Sequence, residues 1–186
     1  MLRLLIVTMA ILILPTALTA QGISLGIGVS GGLNLPIAQQ DQGSGTAFGV
    51  RGIVKALPMI TLEPNVFFGK YGEPTIEGVN SIGLDGSKIT SYGIDARLGA
   101  PMGVPGFSPY ALVGMGFYKA KRDQTAMFED ESTDFGWSIG LGVGLNLPSN
   151  IGVDLRGRFN LIPVDGGSSK KSLFVVGGLN YYFGGN

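Results

Sequence analysis

The stretch DFGWSIGLGVGLNL, residues 134–147, sets a bulky apolar side chain at every second position. Phe135, Trp137, Ile139, Leu141, Val143 and Leu145 share one face, and Gly136, Ser138, Gly140, Gly142, Gly144 and Asn146 share the other. This is the period of a strand, and no helical period fits it. The next run, NIGVDLRGRFNLIP (150–163), behaves alike: Ile151, Val153, Leu155, Phe159 and Leu161 alternate with Gly152, Asp154, Arg156, Arg158 and Asn160. Across the whole chain the same pattern gives eight segments, at 22–34, 46–57, 60–71, 87–99, 108–120, 134–146, 150–162 and 171–183. In the fifth, the phase that puts Tyr110 and Tyr118 with Gly114 and Gly116 matches the glycine face of the sixth. Pro64 interrupts the third, where proline, lacking an N–H, usually marks a bulge or an edge.

Two cylinders are compatible with this alternation. In a soluble barrel the apolar rows point inward. The interior would then have to hold Phe135, Trp137, Ile139 and Leu141 from one strand, while water met little but glycine. Eight strands enclose a space only just wide enough for side chains, so that barrel would be overfilled. Turned inside out, the apolar rows meet lipid and the glycines line a narrow lumen. Closure then pairs every backbone N–H and C=O, as hydrocarbon demands. The apolar rows carry almost no charge near their middles, where Lys or Arg costs about 2–4 kcal/mol. The expected fold is all-β, an eight-stranded antiparallel up-and-down transmembrane β-barrel. Connections that alternate between long and short put long loops at one end and turns at the other, with both termini at the short-turn end. Tyr71, Tyr92, Tyr118, Phe135, Trp137, Tyr181 and Phe183 stand toward segment ends, where aromatic girdles belong.

Residues 1–20, MLRLLIVTMAILILPTALTA, have the layout of a secretory signal peptide: Arg3, an apolar core from Leu4 to Leu14, then Pro15 and small residues to Ala20. The core is too short to span a bilayer as a helix, which takes about 20 residues. Cleavage after Ala20 leaves residues 21–186 as one barrel domain. The chain has no Cys, so there is no disulfide, Cys metal site or lipoprotein anchor. It has no His, the commonest general base and metal ligand. Acidic and basic residues number 13 each, so no bulk charge points to nucleic acid. Charged residues make up 14%, against about 25% in soluble domains, which suits a membrane barrel.

The terminal GLNYYF, the strand PYALVGMGFY and the runs GWSIGLGVGLNL and GVDLRGRF together make the mature chain resemble the small outer-membrane β-barrels, such as the membrane portion of outer-membrane protein A. That resemblance implies the outer membrane of a Gram-negative-type cell, with outer-membrane lipid around the barrel. It also implies that the lipid-facing Leu179, Tyr181 and Phe183 act as the signal read by the barrel-assembly machinery, although Gly184 to Asn186 come after the aromatic that usually ends such chains. Members that are proteases or lipid A deacylases rely on a His, which this chain lacks. No catalytic residue, cofactor or metal site is assigned, and a monomer is expected.

The inward charges are Arg51, Lys55, Glu63, Asp95, Arg97, Asp154, Arg156 and Arg158. All but Arg51 and Arg158 are expected in the periplasmic half of the lumen. They form either a salt-bridged plug or the constriction of a small channel, which five positive against three negative charges would make anion-selective. Glu129, Asp130, Glu131 and Asp134 form an acidic cluster in an outer loop, read as solvated or as a bridge for divalent cations. Lys119, Lys121, Arg122, Lys170 and Lys171 stand near the outer rim, within reach of anionic head groups or simply solvated. The leading functional expectation is a non-enzymatic structural or surface-interaction protein acting through its outer loops, with no surface ligand named by the sequence. The alternatives are a narrow porin-like channel and a soluble periplasmic ligand-binding barrel.

Overall fold

The computed structural model describes residues 24–37, 43–57, 59–72, 88–99, 106–121, 131–147, 150–163 and 169–183. Every element among them is a strand: β1 (Ser24–Ile37), β2 (Gly43–Leu57), β3 (Ile60–Gly72), β4 (Lys88–Gly99), β5 (Gly106–Lys121), β6 (Glu131–Asn146), β7 (Ile151–Pro163) and β8 (Ser169–Phe183). Each pairs antiparallel with its neighbours in sequence, and β8 returns to pair with β1, closing the barrel. Leu25 opposes Phe183 at one end of that seam and Ile37 opposes Lys171 at the other. The connections at one end fall at 38–42, 73–87, 122–130 and 164–168, and at the other at 58–59, 100–105 and 147–150.

Alternation along each strand sorts side chains between two environments. Trp137 is 48% exposed and Leu141 72%, whereas Arg51 is 2% exposed and Glu63 and Asp95 are 0%. A water-soluble protein has the opposite arrangement. The outer surface is therefore built for acyl chains, and the soluble-barrel alternative does not hold. Tyr110, Gly114, Gly116 and Tyr118 face inward with Leu112 on β5, in the phase expected.

Small lumen residues make this orientation possible. A Cβ at Gly178 would stand 2.5 Å from Asp154 Oδ1, and one at Gly28 would stand 2.5 Å from Asn180 Oδ1. At Gly142 it would meet the ring of Tyr110. Glycine is needed at these sites because the side chains directly across on the paired strands, Asp154, Asn180 and Tyr110, lean over and occupy the space. In the β6–β7 turn, Asn150 takes a positive φ of 58°, which asparagine tolerates better than most residues. Leu147 N–H donates to Ile151 O across that turn.

Three expectations change. Tyr71 and Tyr118 are not girdle residues: both are buried in the lumen, on the inward parity of their strands. Pro64 marks neither a bulge nor an edge. It points outward, opposite Ile94 of β4, while the β2–β3 ladder passes from Arg51↔Asn65 to Val54↔Leu62 without pairing at the proline. The register shifts of that ladder fall instead at Gly43/Thr46 and Lys55/Leu57. The strands also run further than expected at the long-loop end, β1 reaching Ile37 and β6 starting at Glu131.

The chain has one tryptophan, which makes the orientation directly measurable. In bilayers of lipid brominated along its acyl chains, Trp137 emission is expected to be strongly quenched, while aqueous iodide quenches it weakly. The reverse pattern would place Trp137 inside the barrel.

Candidate functional site

The lumen of the described barrel is filled in two layers. Toward the short-turn end lies an ionic network. Asp154 of β7 is its hub. It accepts hydrogen bonds from Arg51 Nη2 on Oδ1, and on Oδ2 from Arg156 Nε at 2.9 Å and Tyr110 OH at 2.7 Å. Asn180 Nδ2 donates to Oδ1 at 3.3 Å, and its own Oδ1 accepts from Arg51 Nη2. Arg156 also reaches across to β3, where Nη1 donates to Glu63 Oε2 at 2.7 Å. Glu63 lies 3.8 Å from Arg51 Nε and 3.9 Å from Arg97 Nη1. Next to this network, Asp95 accepts from Arg158 Nη2 at 3.0 Å and from Ser138 Oγ at 3.1 Å.

Four arginines and three carboxylates are thus buried together, with one positive charge in excess. Aromatic faces take up part of the imbalance. The Arg97 guanidinium lies 3.7 Å from the centre of the Tyr110 ring, and that of Arg158 lies 5.2 Å from the Phe67 ring. Such contacts stabilise a desolvated cation by about 2 kcal/mol. Removing water strengthens every attraction in the cluster and also raises the cost of leaving any member unpaired.

Toward the long-loop end an apolar cluster is interleaved with buried Asn34, Asn160 and Ser172. Ala47, Phe67, Tyr71, Ile89, Tyr118, Ile162, Phe174 and Val176 form one buried cluster drawn from six strands. Phe67 and Phe174 meet at a ring separation of 5.8 Å, and Tyr118 OH donates to Asn160 Oδ1 at 3.0 Å. Inward parity in β3, β5 and β8 carries this layer: Phe67 and Tyr71 share the phase of Glu63, and Phe174 that of Asn180.

Of the sequence-derived lumen residues, the structure brings Arg51, Glu63, Asp95, Arg97, Asp154, Arg156 and Arg158 into this buried assembly. Lys55 sits nearer the barrel mouth, half-buried and in register with Thr61. Tyr110, Asn180 and Ser138 complete the cluster; as neutral side chains, they have only their inward parity to mark them in the sequence. Leu179 and Tyr181 face lipid on β8, opposite Val29 and Ile27 of β1, and Phe183 opposes Leu25. The rings of Tyr181 and Phe183 meet edge to face at 5.4 Å. On the far side of the barrel Phe117, Phe135 and Trp137 make an aromatic chain with ring separations of 5.7 and 5.3 Å. Of the acidic loop cluster, Glu129 and Asp130 lie outside the described residues, as does Arg122 among the rim cations. Asp134 lies 3.7 Å from Lys170 Nζ. No group of carboxylates suited to a metal ion occurs among the described residues.

Comparison with known proteins agrees with this architecture. Residues 6–183 match the family described as outer membrane protein beta-barrel domain. No curated protein matches the sequence. Among solved structures, neisserial surface protein A (NspA) superposes with a TM-score of 0.65 at 16% identity, over 87% of this chain and 97% of that one. The N-terminal β-barrel domain of Pseudomonas aeruginosa OprF gives a TM-score of 0.58 at 14% identity, over 86% and 97%. The Yersinia pestis attachment invasion locus protein Ail, in complex with the heparin analogue sucrose octasulfate, gives 0.53 at 14%, over 87% and 97%. At these identities the likeness is one of fold.

The hub makes a quantitative expectation. Asp154→Ala leaves Arg51 and Arg156 buried without their shared counter-charge, which costs about 3–5 kcal/mol when one partner of a buried pair is removed. Urea unfolding in lipid vesicles, followed by Trp137 emission, should show that loss. The lipid-facing control Leu155→Ala should cost clearly less.

Proposed function

Because the chain belongs to the outer membrane protein β-barrel domain family, we propose that it is a non-enzymatic barrel of the outer membrane that acts through the loops at its outer end. One observation carries this reading: among the described residues, buried side chains stand in both halves of the lumen, the ionic network in one and the apolar cluster with Asn34, Asn160 and Ser172 in the other. An ion crossing it would have to displace paired guanidinium groups and then pass the packed rings of Phe67 and Phe174. Each carboxylate of the network is buried. Each is ion-paired with an arginine from another strand, an arrangement that ties walls together.

The loops supply the remaining surface. Segments 38–42, 73–87, 122–130 and 164–168 contain Asp41, Glu73, Glu77, Asp85, Asp123, Glu129, Asp130 and Asp165 against Arg122 alone. Their contact partner is therefore cationic. The loops' own charge disfavours a polyanion like the one bound by the Yersinia barrel. The reading also includes a signal peptide removed after Ala20, insertion guided by the row Leu179, Tyr181 and Phe183, and a monomeric barrel surrounded by lipid.

A narrow anion channel is the second reading, favoured by the excess of buried arginine. Planar-bilayer recording separates the two. The purified barrel is expected to give no steady single-channel openings, and sustained openings would overturn the plug. Whole cells displaying the barrel are expected to bind labelled polylysine and not sucrose octasulfate. Replacing 73–87 and 122–130 by short turns should remove the polylysine signal while heat-dependent gel migration still reports a folded barrel.

A further inference from the structure

Among the described residues, the lipid-facing rows carry charge at one end of the barrel only. At the short-turn end the outward positions are apolar, among them Leu57, Ile60, Leu98, Phe107 and Ile151. At the long-loop end they include Lys70, in phase with the exposed Phe68; Lys88, in phase with Tyr92; and Lys119 and Lys121, in phase with Phe117. Three of these lysines are aligned across adjacent strands. Lys70 of β3 opposes Lys88 of β4, and Lys88 opposes Lys121 of β5. Lys119, opposite Thr90, lies one step nearer the membrane on the same face.

Neighbouring strands lie about 5 Å apart, so the row concentrates four ammonium groups within a patch roughly 10 Å wide. Like charges set directly opposite one another repel. The row is bounded on the β6 side by Glu131, opposite Lys121. On the far side of the barrel, Lys171 stands between Leu161 and Ile37 with no lysine in register. Beneath the row, Phe68, Tyr92 and Phe117 are about half exposed and belong to the acyl region. Apolar lysine stems can lie along that surface while the ammonium groups reach the head-group level.

We propose that the row Lys70–Lys88–Lys121, with Lys119, is a binding site for the phosphate of an anionic lipid in the outer leaflet. Lys88, Lys119 and Lys121 also engage groups of the chain, so the site acts through the summed field of the row and does not need vacant ammoniums. The competing anions are the carboxylates of the acidic loops. The inference rests on the membrane orientation of the barrel and is independent of what the loops contact, so its failure leaves the surface role intact.

The test uses the full-length refolded barrel in mixed micelles, with phosphorylated outer-leaflet glycolipid and its enzymatically dephosphorylated form as probes. The wild type is expected to prefer the phosphorylated lipid by about a hundredfold, roughly what three lysines contribute near an anionic surface. The triple variant Lys70→Gln/Lys88→Gln/Lys121→Gln should lose that preference, and Lys171→Gln should keep it. Heat-dependent gel migration confirms that each variant is folded. If the triple variant fails that check, Lys88→Gln alone is read, with a partial loss expected. Excess inorganic phosphate should not displace the lipid. Equal binding of the two glycolipids by the wild type would overturn the site, as would a folded triple variant with its preference intact. Displacement by inorganic phosphate would assign the row to free phosphate instead.

Discussion

A peptide group in hydrocarbon has no water to bond, so each backbone N–H and C=O must find a partner within the chain. That constraint closes β8 onto β1 and governs the rest of the architecture. Once the sheet is closed with eight strands, the cylinder is narrow and its wall has only two faces. The outer face must be apolar. The inner face can hold polar groups, provided they satisfy one another, and glycine where a large side chain on the paired strand leaves no room. Asp154, shared by Arg51, Arg156, Tyr110 and Asn180, is where those two demands meet.

The two-layer filling gives the barrel different materials at its two ends. Ionic contacts across the lumen tie β2, β3 and β7 together near the short turns. Packed rings join β3 and β8 nearer the long loops. A buried ion pair is strong only in good geometry, and apolar packing is far less directional. The half carrying the arginines is therefore the one whose shape is specified most tightly.

The fold was legible because strand period is a local property. Parity along DFGWSIGLGVGLNL gave both the element and the face that meets lipid, and the same parity placed Arg51, Glu63 and Asp154 inside. It also held the correct answer for Tyr71 and Tyr118, since both share the parity of inward residues. Reading them by nearness to strand ends, where an aromatic suits a girdle as well as a lumen, assigned both to the girdle, which for Tyr118 conflicted with the inward phase already read for its strand. The pairings within the lumen were not legible. Arg51 and Asp154 are separated by 103 positions. Which guanidinium meets which carboxylate depends on strand stagger around the whole cylinder, and no local pattern encodes that.

The seam between β1 and β8 also bears on how the chain reaches this state. Leu25 meets Phe183, so the contact that seals the wall joins nearly the two extremes of the described sequence. Contacts of such long range form slowly, because loop entropy must be lost before they contribute any stabilisation. Until the final strand arrives, β1 and its nascent neighbours present an unpaired edge, which is an aggregation hazard in water. Closing that seam removes the exposed edge and completes the wall in one step, so the last pairing to form is also the one that makes the barrel safe from its own strands.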